Sequence, residues 1–276
     1  MQLLTKPAQL DAWKRDNPRR ALVPTMGALH AGHTSLVRHA ASTRLPTIVS
    51  IFVNPTQFND PADFNRYPKS LDHDCALCEA AGAQAVWAPT VDDIYPPHTP
   101  IAVPPLPPVA TLPGLEDAHR PGHFAGVLQV VKRLFDLVEP ALAVFGEKDW
   151  QQLQLITQAL GEGAGGPRIL PSPTIREDAG LALSSRNRFL NVPDHSRALA
   201  LSLALREGAH AASPAAAEDV MRDVLKEADV TPEYAVIRDA STLLAPRDGQ
   251  PARALIAARI GAVRLIDNMP WPAPTT

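Results

Sequence analysis

Two histidines three residues apart, His30 and His33, are the first side chains in this sequence whose type and spacing could do chemistry. They sit in Val23-Pro24-Thr25-Met26-Gly27-Ala28-Leu29-His30-Ala31-Gly32-His33. The apolar run Ala21-Leu22-Val23 on one side predicts a buried strand. On the other side, Leu36, Val37, Ala40 and Ala41 predict a helix starting near His33. A helix N-terminus presents N–H groups without intrahelical partners and the positive end of the dipole, a setting for an anion. On a helical turn both imidazoles face the same side. Each can donate to a phosphate oxygen, and a charge-assisted bond of this kind is worth roughly 1.5–3 kcal/mol. Gly27 and Gly32 lack a Cβ, so a bulky anion could approach the main chain. The chemistry this suits is stabilising a polyphosphate whose charge shifts as a bond breaks. Taken alone, the pair is equally two histidines near a helix cap.

Three later stretches also carry reactive types after an apolar run. Asn54-Pro55-Thr56-Gln57-Phe58-Asn59 follows Thr47–Val53; Pro55 stops the ladder and Gln57 brings an amide that both donates and accepts. It could equally be a polar loop with Gln57 in solvent. Gly146-Glu147-Lys148-Asp149-Trp150-Gln151-Gln152-Leu153 offers Lys148 as a point charge for phosphates and Asp149 as a carboxylate for Mg2+. By themselves these charges read first as an exposed helix cap. In Ile175-Arg176-Glu177-Asp178-Ala179-Gly180-Leu181-Ala182-Leu183-Ser184-Ser185-Arg186-Asn187, two hydroxyls beside a guanidinium could clamp a polyphosphate, or simply form a polar linker. Weaker signals are Arg120-Pro121-Gly122-His123, a cation and an imidazole at a helix start, and Tyr67-Pro68-Lys69 with Asp72-His73-Asp74, read as a solvated helix cap.

Two motif matches are rejected on physical grounds. Gly27 to Thr34 follows the P-loop spacing but has His33 where the phosphate-reaching lysine belongs. Gly161-Glu162-Gly163-Ala164-Gly165-Gly166 follows a helical segment and runs into a strand, the reverse of a dinucleotide-binding turn. Cys75 and Cys78 form a lone C-x-x-C inside a predicted helix, without the second ligand pair a zinc site wants. They read as two thiols in a reducing compartment.

These stretches must be positioned by a fold, and the chain alternates apolar runs with helical patterns as far as residue 170. Strands are expected at 21–23, 47–53, 85–88, 141–145 and 168–170, with a short extended piece at 101–103 in the proline-rich stretch 96–113. Helices are expected at 70–81, 124–138 and 149–160. Such alternation predicts a doubly wound parallel α/β sheet. After about residue 171, helices near 194–211 and 214–228 precede strands near 233–239, 253–259 and 262–266, which predicts a smaller α+β domain. The expected domains are 1–173, Rossmann-like, and 174–276, a C-terminal lid.

The composition restricts the partners. Of 276 residues, 45% are hydrophobic and 20% charged, a globular balance. A net charge of −3 gives no electrostatic reason for nucleic acid or an anionic membrane. No segment approaches the roughly 18 apolar residues of a membrane span, and the first residues carry charges in place of a signal core. A cytoplasmic location is expected.

H-x-G-H after a strand resembles the nucleotidyl-transferring superfamily that includes class I aminoacyl-tRNA synthetases. The longer string Pro-Thr-Met-Gly-Ala-Leu-His-x-Gly-His resembles the pantoate–β-alanine ligase (pantothenate synthetase) family. So do the stretches at Asn54, Gly146 and Arg176, in the family's order, and Arg264-Leu265-Ile266-Asp267-Asn268 near the end. The resemblance implies ATP-dependent ligation of pantoate to β-alanine through pantoyl adenylate, with Mg2+, small-molecule substrates only, and a homodimer. It implies catalytic roles for His30, His33, Lys148 and Arg186. It places ATP against Met26, Gly27, Ala28, Leu29, His30, Ala31, Gly32 and His33, against Gly146, Glu147, Lys148 and Asp149, and against Ile175, Leu183, Ser184, Ser185 and Arg186. It assigns pantoate to Gln57 and Gln152, β-alanine to Gln57, and the metal to Asp149. The sequence departs from the family at Trp150 (usually tyrosine), Ala179 (aspartate), Leu183 (methionine) and His73 (acidic). Two other readings are a related synthetase fragment, which would want a basic face for tRNA, and a catalytically silent nucleotide-binding regulator.

Overall fold

Strands buried on both faces read as continuous apolar runs, and here they assemble as a parallel sheet. A computed structural model of the chain describes residues 1–57 and 70–272. Phe58, Asn59, Tyr67, Pro68 and Lys69 therefore lie outside the described residues. The strands are β1 (Gln2–Leu4), β2 (Ala21–Thr25), β3 (Thr47–Ile51), β4 (Ala85–Trp87), β5 (Leu142–Gly146) and β6 (Arg168–Ser172), in the order β1-β4-β3-β2-β5-β6. All pairings are parallel. Leu22, Val23, Ile48, Val49, Val86 and Val144 are fully buried at its centre.

The accompanying helices are α1 (Pro7–Asp16), α2 (Ala31–Ser42), α3 (Leu71–Ala80), α4 (His123–Val138) and α5 (Trp150–Leu160). The apolar face of α4 is broad, with Leu128 and Phe135 buried along with Val127, Val130, Val131 and Leu134. Beta1 and α1 were not evident from periodicity: a three-residue strand carries no pattern, and α1 buries only Leu10 and Trp13. The expected extended piece at Ile101–Val103 forms no strand. Prolines at 100, 104 and 105 remove ladder donors around it, and the Ile101 carbonyl accepts instead from the Gln129 amide at 2.6 Å.

After β2 the chain builds outward through β3 and β4, then crosses back to β5 and β6 on the other side of β2. The crevice beyond the carboxyl ends of β2 and β5 is thus the topological switch point, where open α/β sheets bind ligands.

A second sheet is antiparallel, β7 (Pro232–Asp239), β8 (Ala252–Ile260) and β9 (Val263–Trp271) in sequence order. The last strand runs five residues past its expected end. Helices α6 (Val192–Gly208) and α7 (Pro214–Glu227) share its core, with Leu201, Leu205, Met221 and Leu225 packed in one cluster with Ile237 and Ile256. Both helices begin as the sequence suggests: Asn191 and Ser213 accept backbone N–H bonds as N-caps, with proline in the first turn. The chain divides into two compact units, Met1–Glu147 with Gln152–Pro173, and Lys148–Gln151 with the chain from Thr174 onward.

Candidate active site

The turn leaving β2 is held by a buried carboxylate. Gly27 (φ +81°) and Ala28 (φ +52°) both adopt the left-handed region. Their turn aims the N–H groups of Ala28 and Leu29 at Asp74, 2.9 Å from Oδ2 and Oδ1 respectively. A Cβ on Gly27 would lie 3.1 Å from both Asp74 Oδ2 and Ile51 Cγ2. Glycine at 27 thus suits both the left-handed turn and the close approach of the carboxylate. The solvated-cap reading of Asp72-His73-Asp74 is corrected. Asp72 and His73 are exposed on α3, but Asp74 is 1% exposed and also accepts from the Ser70 hydroxyl at 3.3 Å. Leu71, Asp74 and Cys78 share one helical face, and that spacing was the available sequence signal.

Helix α2 starts two residues earlier than expected because His30 is its N-cap. The His30 Nδ1 accepts from the Gly32 N–H at 3.1 Å, and His33 Nδ1 accepts from the His30 N–H at 3.4 Å. Histidine thus performs the reciprocal capping normally done by Ser/Thr and Glu. The rings lie side by side, with centroids 4.1 Å apart. Since both Nδ1 atoms accept, the ring proton of each neutral imidazole sits on Nε2. Of the residues expected to line ATP here, Gly27, Ala28 and Leu29 are buried, whereas Met26, His30, Gly32 and His33 are half-buried and Ala31 is exposed.

Gln57 belongs to a connected set of side chains. Asn54, 1% exposed, donates from Nδ2 to Gln57 Oε1 (3.1 Å) and to the Gly126 carbonyl (3.2 Å), while its Oδ1 accepts from the Tyr95 hydroxyl at 2.9 Å. Burial raises the Tyr95 phenol above its ordinary range, so it remains a donor. The Gln57 amide donates to Met26 Sδ at 2.9 Å. The His123 Nδ1 lies 3.1 Å from the Gln57 carbonyl and must donate to it, since a carbonyl only accepts. At Gly126 a Cβ would stand 2.4 Å from the Thr56 carbonyl, so only glycine lets α4 meet this turn. The His123 ring is thereby tied to the Gln57 main chain. Asn54 and Tyr95 were missed by sequence reasoning, because neither type signals function without its neighbours.

In the smaller unit, the strip after β5 is anchored at two points. Asn268 Nδ2 donates to the Lys148 carbonyl at 2.8 Å, and Trp150 Nε1 donates to the Ala240 carbonyl at 2.8 Å. The Arg253 guanidinium carbon stands 3.5 Å from the Trp150 ring centroid, a cation–π contact. The indole N–H is thus a donor where the family usually has a tyrosine hydroxyl. Lys148 is half-buried and Asp149 exposed. Gln152, expected to hold pantoate, is half-buried on the first turn of α5.

The stretch from Ile175 to Asn187 folds back on itself. Arg176 and Ala182 form an antiparallel bridge, Leu183 N–H donates to the Ile175 carbonyl (2.9 Å), and Gly180 N–H to the Glu177 carbonyl (2.8 Å). Ala179 is exposed on this turn, whose closing bonds are main-chain, so no carboxylate is needed to shape it. The Ser184 hydroxyl accepts from the Arg186 N–H at 3.2 Å and caps a short helical turn, Ser185–Phe189. Ser184, Ser185 and Arg186 are all half-buried. Arg176 makes a two-pronged pair with buried Asp267, at 2.6 and 2.8 Å.

Among the described residues no group of three or more His, Cys, Asp or Glu could hold a metal ion. Cys78 is pushed up to about 12 by burial and by Cys75 and Asp74, and Cys75 is raised chiefly by burial. Neither thiol has the depressed pKa of a reactive cysteine. No helix among the described residues is long and apolar enough to cross a membrane.

Comparison with known proteins agrees across the chain. The family model described as pantoate-beta-alanine ligase matches residues 2–270. A pantothenate synthetase of Novosphingobium aromaticivorans is 46% identical over 275 residues, covering 94% of each chain. One from Thioalkalivibrio sulfidiphilus is 43% identical, covering 97% of this chain and 95% of its own. Among solved structures, the Thermus thermophilus pantothenate synthetase superposes with a TM-score of 0.89 at 39% identity, over 98% of this chain and 99% of that one. The Francisella tularensis pantoate-beta-alanine ligase, complexed with beta-gamma ATP and beta-alanine, gives 0.81 at 33% identity, over 98% and 97%. This chain therefore belongs to the pantoate–β-alanine ligase family.

Proposed function

We propose that this chain joins pantoate to β-alanine at the expense of ATP, through a pantoyl adenylate. A pantoate carboxylate oxygen attacks the α-phosphorus of ATP, the bond to the β-phosphate oxygen breaks, and pyrophosphate leaves. The β-alanine amine then attacks the acyl carbon, the bond to the phosphate oxygen breaks, and AMP leaves as the nitrogen gives up its proton. A carboxylate is already a nucleophile, so the barrier lies in charge developing on phosphate, which fixed donors can meet.

The observation that carries this reading is the imidazole pair whose Nδ1 atoms are tied to the start of α2. With Nδ1 accepting in each ring, the proton of each neutral imidazole is on Nε2, and the ring centroids stand 4.1 Å apart at the start of α2, a donor chemistry suited to phosphate oxygens. We assign His33 Nε2–H the further role of protonating the departing pyrophosphate. Lys148, Ser184, Ser185 and Arg186 supply cations and donors to the phosphates. Gln57 and Gln152 bind pantoate, and Gln57 also meets β-alanine. The Gln57 amide is oriented by Asn54 and Met26, so the wrong acid would leave a fixed polar group unpaired.

Mg2+ would neutralise charge on the phosphates when bound, and Asp149 is the residue that would hold it. The donor set suits this ion, which takes one or two carboxylates and fills its remaining sites with phosphate oxygens and water. The homodimer and the cytoplasmic location rest on the family resemblance and on the sequence. The deciding experiment mixes ATP, pantoate, β-alanine and Mg2+ and follows AMP and pantothenate. Equal amounts of both are expected. ATP binding without either product would favour a silent nucleotide-binding regulator.

A further inference from the structure

The smaller unit mounts two phosphate-handling segments on adjacent residues of one strand. Asp267 and Asn268 lie on β9 and are 2% and 3% exposed. Asp267 takes both prongs of Arg176, the residue at the base of the fold-back that carries Ser184, Ser185 and Arg186. Arg176 also donates to the Asn268 carbonyl at 3.3 Å, and the Asn268 N–H donates to Asp267 Oδ1 at 2.7 Å. The Asn268 side chain faces two ways. Its Nδ2 donates to the Lys148 carbonyl at 2.8 Å, and its Oδ1 accepts from Arg253 Nε at 2.5 Å. Arg253, 6% exposed, spreads its guanidinium over the Trp150 ring, and Trp150 is tied to the Ala240 carbonyl. The loop beyond Ala240 is itself locked, because Asp239 accepts from Ser241, Thr242 and Arg247.

We propose that Asn268 is a positioning residue that sets the main chain of Lys148, and hence its ammonium, for the nucleotide, with Arg253 and Trp150 as its clamp. A buried amide contributes no bulk force; what it supplies is direction, since donor and acceptor are separated on one rigid plane. The buried Asn268–Arg253 pair brings a donor to the Lys148 carbonyl while the Asn268 acceptor takes the Arg253 Nε–H. Trp150 preserves the anchoring in this chain because its indole N–H reaches the Ala240 carbonyl. The inference rests on the assignment of Lys148 to the nucleotide.

The test is Asn268→Asp, which keeps an acceptor for Arg253 but removes the donor to Lys148. It is made alone and combined with Lys148→Ala. A misplacement of about 1 Å can cost up to about 100-fold, so single-turnover adenylate formation with ATP and pantoate is expected to fall at least about tenfold, with the KM for pantoate held within about twofold. In the Lys148→Ala background the same change should cost less than about twofold, because groups acting through one another are not additive. A rate unchanged by Asn268→Asp, or lowered by the same factor in both backgrounds, overturns the proposal. Should Asn268→Asp fail to fold, Trp150→Phe takes its place in the same cycle, keeping the ring under Arg253 and losing the bond to Ala240. If the wild-type chain forms no adenylate, the ligase reading fails, and affinity for α,β-methylene ATP is then measured through the cycle. Additive losses of affinity would overturn the positioning role on their own.

Discussion

Replacing Asp74 by asparagine would test the claim that one buried carboxylate shapes the turn bearing the two histidines. Asp74 accepts N–H bonds from Ala28 and Leu29, both at 2.9 Å, one on each oxygen. Asparagine retains one acceptor but turns an NH2 toward the second N–H. One charge-assisted bond is then lost and a buried donor is left facing another donor, a cost of about 1.5–3 kcal/mol. Ala28 is already in the left-handed region, so the turn has little to fall back on. For a body of 150–250 residues, each kcal/mol moves the melting temperature by about 2–4 °C, which gives an expected fall of roughly 3–12 °C. Calorimetry of both proteins at neutral pH reads this directly, with exposed Asp72→Asn as a control expected to stay within about 0.5 kcal/mol. Because the same turn leads into His30 and His33, adenylate formation should slow as well, by at least about threefold, or roughly 0.65 kcal/mol in the barrier. A melting temperature within about 1 °C of the wild type, with an unaltered rate, would refute the clamp.

Other consequences follow from the same geometry. His33→Ala should lose at least about tenfold in the adenylation step, roughly 1.4 kcal/mol, in a single-turnover assay; an unchanged rate would contradict its assignment. Gln57→Ala should raise the KM for pantoate more than that for ATP, and equal effects on both would argue against a pantoate contact. At Asp239, burial alone would push the carboxyl upward, but bonds from Thr242, Arg247 and Ser241 outweigh it and hold the group far below the usual carboxylate range. A depressed folded value contributes stability that is fully present above the unfolded pKa of about 3.9 and is lost as pH falls below it. The gap in melting temperature between wild type and Asp239→Asn should therefore be widest near pH 7 and shrink below about pH 4; a gap independent of pH would disprove the linkage.

What the sequence determined by itself is the alternation of strand and helix, the order of the reactive stretches and the family. Apolar runs such as Thr47–Val53 and spacings such as Val127–Leu134 are local, and local pattern is what a linear sequence displays. The histidine pair was legible by type and spacing at a strand-to-helix junction, but the rings meet through the reciprocal cap at extended His30 and not through a shared helical face. Tertiary structure alone decided the rest. That Asp74 is buried and Asp72 exposed depends on which face of α3 meets the turn after β2. That His30 caps α2, fixing which ring nitrogen carries the proton, depends on a turn held by a residue 44 positions away. Asn54, Tyr95 and Asn268 are ordinary polar residues in the sequence. They acquire their roles only when the fold brings Gly126 to Asn54, Asn54 to Tyr95 and Lys148 to Asn268 within hydrogen-bonding distance, because a hydrogen bond is set by distance and direction in space.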